Sequence, residues 1–294
     1  MTDEARAFVP GHVTGFFTVD RTDDPTTTGS RGAGVTITDG VTVRVRPAEE
    51  TTVVLGDVSV EMEAVNRVLE ALSVEATVIG DTDLPIGSGF GVSGAMALGT
   101  ALAANDAFDV KLSRNELVTL AHGAEVQAGT GLGDIVAQAQ GGMVLRLEAG
   151  GPQSNVLDGI VQRPRVEYLT FGDLDTNGVI GGDTTRLSSA GQAALSLVVE
   201  QPTVEQFMVA SRRFAREADL LTDRVRELIV DVNEAGGEAS MAMLGETVFA
   251  MGDGLSAAGY DPAVCRVDPA GATLLLGESD GSQQIRDRRE TDDQ

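Results

Sequence analysis

Tryptophan is absent from this 294-residue sequence, and there are two tyrosines, two histidines, one cysteine and one lysine, Lys111. A lone Cys265 excludes an internal disulfide. His12 and His122 lie far apart, so the sequence lacks the clustered nitrogen and sulfur ligands of a structural zinc site. No apolar run reaches the roughly 20 residues needed to span a bilayer, and no apolar leader opens the chain. A cytoplasmic protein is therefore expected. Positive charge is scarce: 21 Lys and Arg face 45 Asp and Glu, for a net charge of −24 and a pI near 4.3. Such a chain repels phosphodiester backbones and anionic lipid, which argues against nucleic acid and membrane as partners.

What is abundant is small and apolar. Hydrophobic residues make up 42% of the sequence and glycine occurs 36 times. That composition supports a sizeable core in one or two domains and excludes a disordered acidic chain. Acid excess with arginine in place of lysine is the look of a cytosolic protein from an extremely halophilic archaeon, where molar salt screens self-repulsion. The charge then reports on solvent rather than on substrate.

Hydrophobic periodicity predicts a first strand over 6–17 and a hairpin of 34–38 with 41–46 around Asp39-Gly40. Between them, 20–30 is a polar loop. Helices are predicted over 62–72, 95–107, 114–126 and 134–139, the third capped by Ser113, with strands over 75–79 and 142–147. A glycine-rich stretch at 150–159 suggests a domain boundary, giving a nucleotide-binding unit over 1–150 and a smaller α+β unit over 151–277. Residues 278–294 carry no core pattern and read as a disordered acidic tail.

The richest stretch is Leu84-Pro85-Ile86-Gly87-Ser88-Gly89-Phe90-Gly91-Val92-Ser93-Gly94. It is a glycine loop running into a helix. Bare backbone there turns N–H groups toward a ligand at close range, and the helix adds unpaired donors and the positive end of its dipole. The likeliest ligand class is a phosphate chain. Three motif readings compete with the plain one of a tight turn. The P-loop pattern G-x-x-x-x-G-K-[ST] is absent. Gly89 to Gly94 spells G-x-G-x-x-G, but helices follow where a dinucleotide fold needs a second strand. A plain tight turn accounts for the glycines without needing Pro85 or Ser93.

The third motif reading is a resemblance. Pro85, Gly89, Phe90, Gly91, Ser93, Gly94 and Ala95 match the P-x-x-x-G-[LF]-G-x-S-[GSA]-[GSA] motif of the GHMP kinases, a superfamily of small-molecule kinases. Pro10-Gly11-His12-Val13 resembles the family's opening strand, and Glu125 with Gly129-Thr130-Gly131-Leu132-Gly133-Asp134 resembles its acid-then-aspartate segment. Within the superfamily, 10–17 together with 28–34 is most similar to the archaeal pantoate kinases. The resemblance implies a two-domain α+β fold, with a mixed α/β N-terminal domain and a ferredoxin-like C-terminal domain. It implies ATP and Mg²⁺ as cofactors and pantoate as the small-molecule partner. The implied reaction is phosphorylation of the 4-hydroxyl of pantoate on an archaeal route to coenzyme A. Shikimate, homoserine and mevalonate are alternative acceptors, and a homodimer is an expectation.

By the same resemblance, Asp134 is the catalytic residue. Pro85, Gly87, Ser88, Gly89, Gly91, Val92, Ser93 and Gly94 hold the nucleotide, and Ser93 and Glu125 hold the metal. Each has a plainer reading: Ser93 and Asp134 as helix caps, Glu125 as one surface acid among many. His12 stands where many relatives carry lysine, and it reads either as a substrate contact or as a satisfied strand histidine. Arg31, flanked by small residues in Thr28-Gly29-Ser30-Arg31-Gly32-Ala33-Gly34, suits bidentate capture of the substrate carboxylate. The family's third glycine loop corresponds to 236–245, where Met241 and Met243 replace glycines; they wall an apolar part of the substrate or pack the core.

Overall fold

The computed structural model describes residues 4–173 and 176–275. The tail expected over 278–294 lies outside the described residues. The first part of the chain runs through strands Ala5–Phe17 (β1), Gly32–Pro47 (β2), Thr52–Leu55 (β3) and Val58–Ser59 (β4), helix Glu63–Leu72 (α1) and strand Ala76–Asp81 (β5). Helices Val92–Ala107 (α2), Arg114–Ala128 (α3) and Asp134–Gln140 (α4) follow, then strands Met143–Glu148 (β6) and Val156–Ile160 (β7). The second part comprises Arg165–Asp173 (β8), Thr176–Gly181 (α5), Thr185–Glu200 (α6), Val204–Glu217 (α7), Asp223–Glu234 (α8), Ala239–Met241 (β9), Gly245–Met251 (β10), Gly254–Ala257 (α9), Ala263–Arg266 (β11) and Thr273–Leu275 (β12).

The larger sheet has the order β12-β1-β2-β5-β3-β4 and forks at β2. The C-terminal half of β2 pairs with β5 and its N-terminal half with β6, which pairs in turn with β7. The smaller sheet is antiparallel in the order β11-β8-β10-β9. Numbered within that unit, the order is 4-1-3-2, the split β-α-β arrangement expected for a ferredoxin-like domain. The hydrogen bonds of the larger sheet continue past residue 150 through β7, and β12 returns to pair with β1.

The hairpin expected at Asp39-Gly40 does not form. The two predicted strands are one strand, β2, and both halves pair with β1. Pro10 faces Gly40 and Gly11 faces Ile37, so Thr38 and Asp39 are looped out as a bulge. Gly40 is small for another reason: a Cβ there would lie 2.4 Å from the Val9 carbonyl oxygen.

Helix α2 is buried on nearly every side, which is why its residues show no amphipathic pattern. It lies between β1 and β2 on one side and α1 and α3 on the other. Gly99 permits the approach to the sheet, since a Cβ there would meet Val43 Cγ2 at 2.4 Å. Helix α3 starts at a full capping box, with Ser113 accepting from the Glu116 amide and Glu116 accepting from the Ser113 amide. The two parts of the chain are joined through buried rings: Phe16 on β1 meets Phe207 on α7, which meets Phe249 on β10, each pair 6.1 Å apart.

Candidate active site

A cavity of about 540 Å³ opens where the glycine loop, the start of α2, the turn before α4, the end of β1 and the β9–β10 turn converge. Gly87, Gly89 and Gly91 line it with φ of 75°, 86° and 64°. Only glycine adopts such backbone freely, and bare backbone at alternate positions suits close approach of an anion. Gly91 is the N-cap of α2 and offers no side-chain cap, so the first-turn amides at Val92 and beyond keep their donors. Ser93, on that first turn, sits with Oγ 3.2 Å from Thr130 Oγ1.

Pro85, Ser88 and Gly94 are not on the cavity wall. Ser88 is buried, and its carbonyl accepts from Thr247 Oγ1 at 2.8 Å. A Cβ on Gly245 would meet that same carbonyl oxygen at 2.1 Å. The cradle thus rests, backbone on backbone, against the second sheet. Of the two methionines in the third loop, Met241 is buried within β9 and Met243 faces the cavity.

Gly94 makes room for Glu125. A Cβ at Gly94 would lie 2.9 Å from Glu125 Oε1, and one at Gly131 would lie 2.6 Å from it. Glu125, on α3, is 1% exposed, and its Oε2 has no hydrogen-bond partner among the described residues. Burial, and then the charge of Asp134, push its pKa well above the usual carboxylate range. An unpartnered buried carboxylate facing a second acid across a cavity has the donor chemistry of a Mg²⁺ ligand.

Asp134 is the first residue of α4. Gly133 occupies the N-cap, so Asp134 is free of a capping role. It is 24% exposed toward the cavity, and His12 Nδ1 lies 2.6 Å from its Oδ1. Thr14 Oγ1 donates to the same oxygen at 3.4 Å. Burial pushes the Asp134 carboxyl up, but the His12 contact and the charge of Arg146 outweigh it and hold the group below its ordinary value.

His12 does not line the cavity. Its ring is fully buried in space left by Gly34, whose Cβ would fall 2.3 Å from Nε2. Burial lowers its pKa despite the nearby carboxylate. A neutral ring with its proton on Nδ1 satisfies Asp134, and Nε2 has no partner among the described residues. The histidine therefore touches the acid rather than a ligand.

Arg31 is also displaced from its expected role. Its guanidinium spends its donors on Asp20, at 3.3 and 3.1 Å, and on Gln192 at 2.6 Å, and it is absent from the cavity wall. The cation at the cavity is Arg146, on β6. It is 2% exposed, donates Nε to the Ser30 carbonyl at 3.3 Å, and leaves Nη1 unpartnered among the described residues. Its signal in the sequence is a single arginine inside the apolar strand Met143-Val144-Leu145-Arg146-Leu147. His122 is buried on α3, with Nε2 2.8 Å from the Thr28 carbonyl oxygen, a contact distant in sequence.

Residues 60–142 match the family of GHMP kinases, N terminal domain. The chain is 32% identical to the pantoate kinase of Methanospirillum hungatei over 284 residues, covering 92% of this chain and 96% of that one. It is 32% identical to the pantoate kinase of Methanocaldococcus jannaschii over 274 residues, covering 88% and 99%. Among solved structures, a phosphotransferase related to the CoA biosynthesis pathway superposes with a TM-score of 0.84 at 28% identity, covering 94% of this chain and all of that one. Homoserine kinase from Cytophaga hutchinsonii shares the fold with a TM-score of 0.64 at 18% identity, covering 94% and 98%.

Proposed function

The chain belongs to the GHMP kinases and, within them, to the family of the pantoate kinases, and from that premise we propose that it transfers the γ-phosphoryl group of ATP to the 4-hydroxyl of (R)-pantoate. The observation that carries this reading is the cavity itself. A glycine cradle, a buried carboxylate with an unpartnered oxygen, a second carboxylate held ionised and the Arg146 guanidinium line one space.

The amides of the Gly87–Gly91 turn and of the first turn of α2 receive the phosphates. Ser93 and Glu125 are the residues that would hold Mg²⁺, which would supply positive charge against the phosphates. Asp134 accepts or orients the proton of the attacking hydroxyl. Its low pKa suits orientation of the hydroxyl with late proton capture, as a loose transition state requires. His12 and Thr14 fix the carboxylate so that its lone pair faces the acceptor. Arg146 takes the acceptor carboxylate, the role first expected of Arg31, because its guanidinium, and not that of Arg31, belongs to a residue lining the cavity.

The test is ADP release at molar KCl with Mg-ATP against pantoate, shikimate, homoserine and mevalonate in parallel. Turnover with pantoate is expected, with the other three near background. Asp134→Asn is expected to lose at least about 100-fold in kcat while still binding ATP. Turnover with one of the other acceptors, and none with pantoate, overturns the substrate assignment and leaves the kinase.

A further inference from the structure

Phe17, Gly32 and Arg146 form one row across three adjacent strands: Phe17 pairs with Gly32 on β2, and Gly32 pairs with Arg146 on β6. Residues opposed in this way project to the same face. The outer two are about 10 Å apart across the sheet. Gly32 puts nothing between them, and at φ 147° with the Phe16 carbonyl oxygen 2.2 Å from an ideal Cβ, no other residue fits there. The row is a slot with a guanidinium at one end and an aromatic ring at the other.

The reacting end of the site stands beside this slot. A register shift between Thr14 and Phe16 brings Thr14 and Phe17 to the same side of β1. Thr14 contacts Asp134, and its carbonyl accepts from the Met243 amide at 2.9 Å. Met243 is thereby held beside Thr14, and Met243 and Leu244 line the same cavity as Asp134. Neither side chain has a hydrogen bond to offer.

Resting on the proposed reading of this site as a hydroxy-acid kinase, we infer that the wall formed by Phe17, Met243 and Leu244 selects acceptors whose carbon next to the reacting CH₂OH carries alkyl branches in place of hydroxyls. With the carboxylate on Arg146 and the primary hydroxyl at Asp134, the carbon between them faces this wall. Two methyl groups there fill it. A hydrogen leaves a void, and a hydroxyl is buried without a partner. Met243 is the specificity-determining residue, because its amide bond to the Thr14 carbonyl holds it beside the Thr14–Asp134 contact.

The test compares kcat/KM for pantoate and for 2,4-dihydroxybutanoate, which lacks both methyls, in the wild type and in Met243→Ala and Leu244→Ala. The wild type is expected to prefer pantoate by roughly 10- to 200-fold. Met243→Ala is expected to cut that preference about tenfold or more by losing activity on pantoate, with the KM for ATP unchanged. Met243→Gln keeps the length and adds a polar end; it is expected to reverse part of the preference, and it covers the case in which the alanine variant does not fold. An unchanged preference in folded variants, or a wild type that treats both acceptors alike, overturns this inference alone. A wild type that does not turn over pantoate overturns it together with the functional reading.

Discussion

Glu125 shows how one residue can oppose stability and function. Its pKa in the folded chain is raised above the ordinary 4.5, so above that pH the native state holds a proton that the unfolded chain has released. Stability of the metal-free protein then falls as pH rises from 4.5 through the raised value. Glu125→Gln is expected to flatten this decline and to raise the metal-free Tm near neutral pH. The same change is expected to remove the stabilisation that Mg-ATP adds and to lower turnover by on the order of 100-fold or more. Thermal melts across pH, with and without Mg-ATP, read both effects.

His12 belongs to the same scale. His12→Ala removes the donor that holds Asp134 and is expected to lower kcat on the order of 100-fold, with small changes in either KM. A proportional rise in the pantoate KM instead is the signature of a direct substrate contact and contradicts the geometry. The glycine loop was legible from residue identity, and the family resemblance put Asp134 forward as a candidate; both line the cavity. Residue identity did not tell which arginine lines the cavity. Arg31 and Arg146 both sit among small or apolar neighbours, and only three-dimensional pairing shows that Asp20 and Gln192 have consumed the first.

Among the elements, α3 matters most for the site because it carries Glu125. Its start was legible, since Ser113 followed three residues later by Glu116 is a local signal for a local structure. Ser113→Ala is expected to cost about 1 kcal/mol, seen as a lower Tm with the KM values for ATP and acceptor unchanged. β2 was not legible in the same way. Asp39-Gly40 carries the composition of a tight turn, but whether a strand folds back or continues depends on what lies beside it. Here β1 pairs with both halves, which no window of local sequence contains. The same holds for Gly94 and Gly131, whose smallness answers to a carboxylate contributed by α3.

At the scale of the whole molecule the charge of −24 dominates. At about 0.1 M salt the screening length is about 10 Å, and at 1 M it is about 3 Å. Raising KCl across that interval is expected to raise Tm and to restore activity, because repulsion among 45 acids is balanced by 21 basic groups only in part. A Tm that stays flat between about 0.1 and about 1 M KCl contradicts the high-salt reading of the composition. The buried phenylalanines linking β1, α7 and β10 limit how far the two sheets separate as that repulsion grows.

The pairing of β12 with β1 sets Leu275 directly across from Arg6. The path of the described residues therefore nearly closes on itself, and its direction of reading is separable from its shape. A short linker carrying the backbone from residue 275 to residue 5 would make a ring, and the exposed Gly56-Asp57 turn between β3 and β4 is a place to open it. Such a circular permutant would be synthesised in a different order while every strand kept its neighbours.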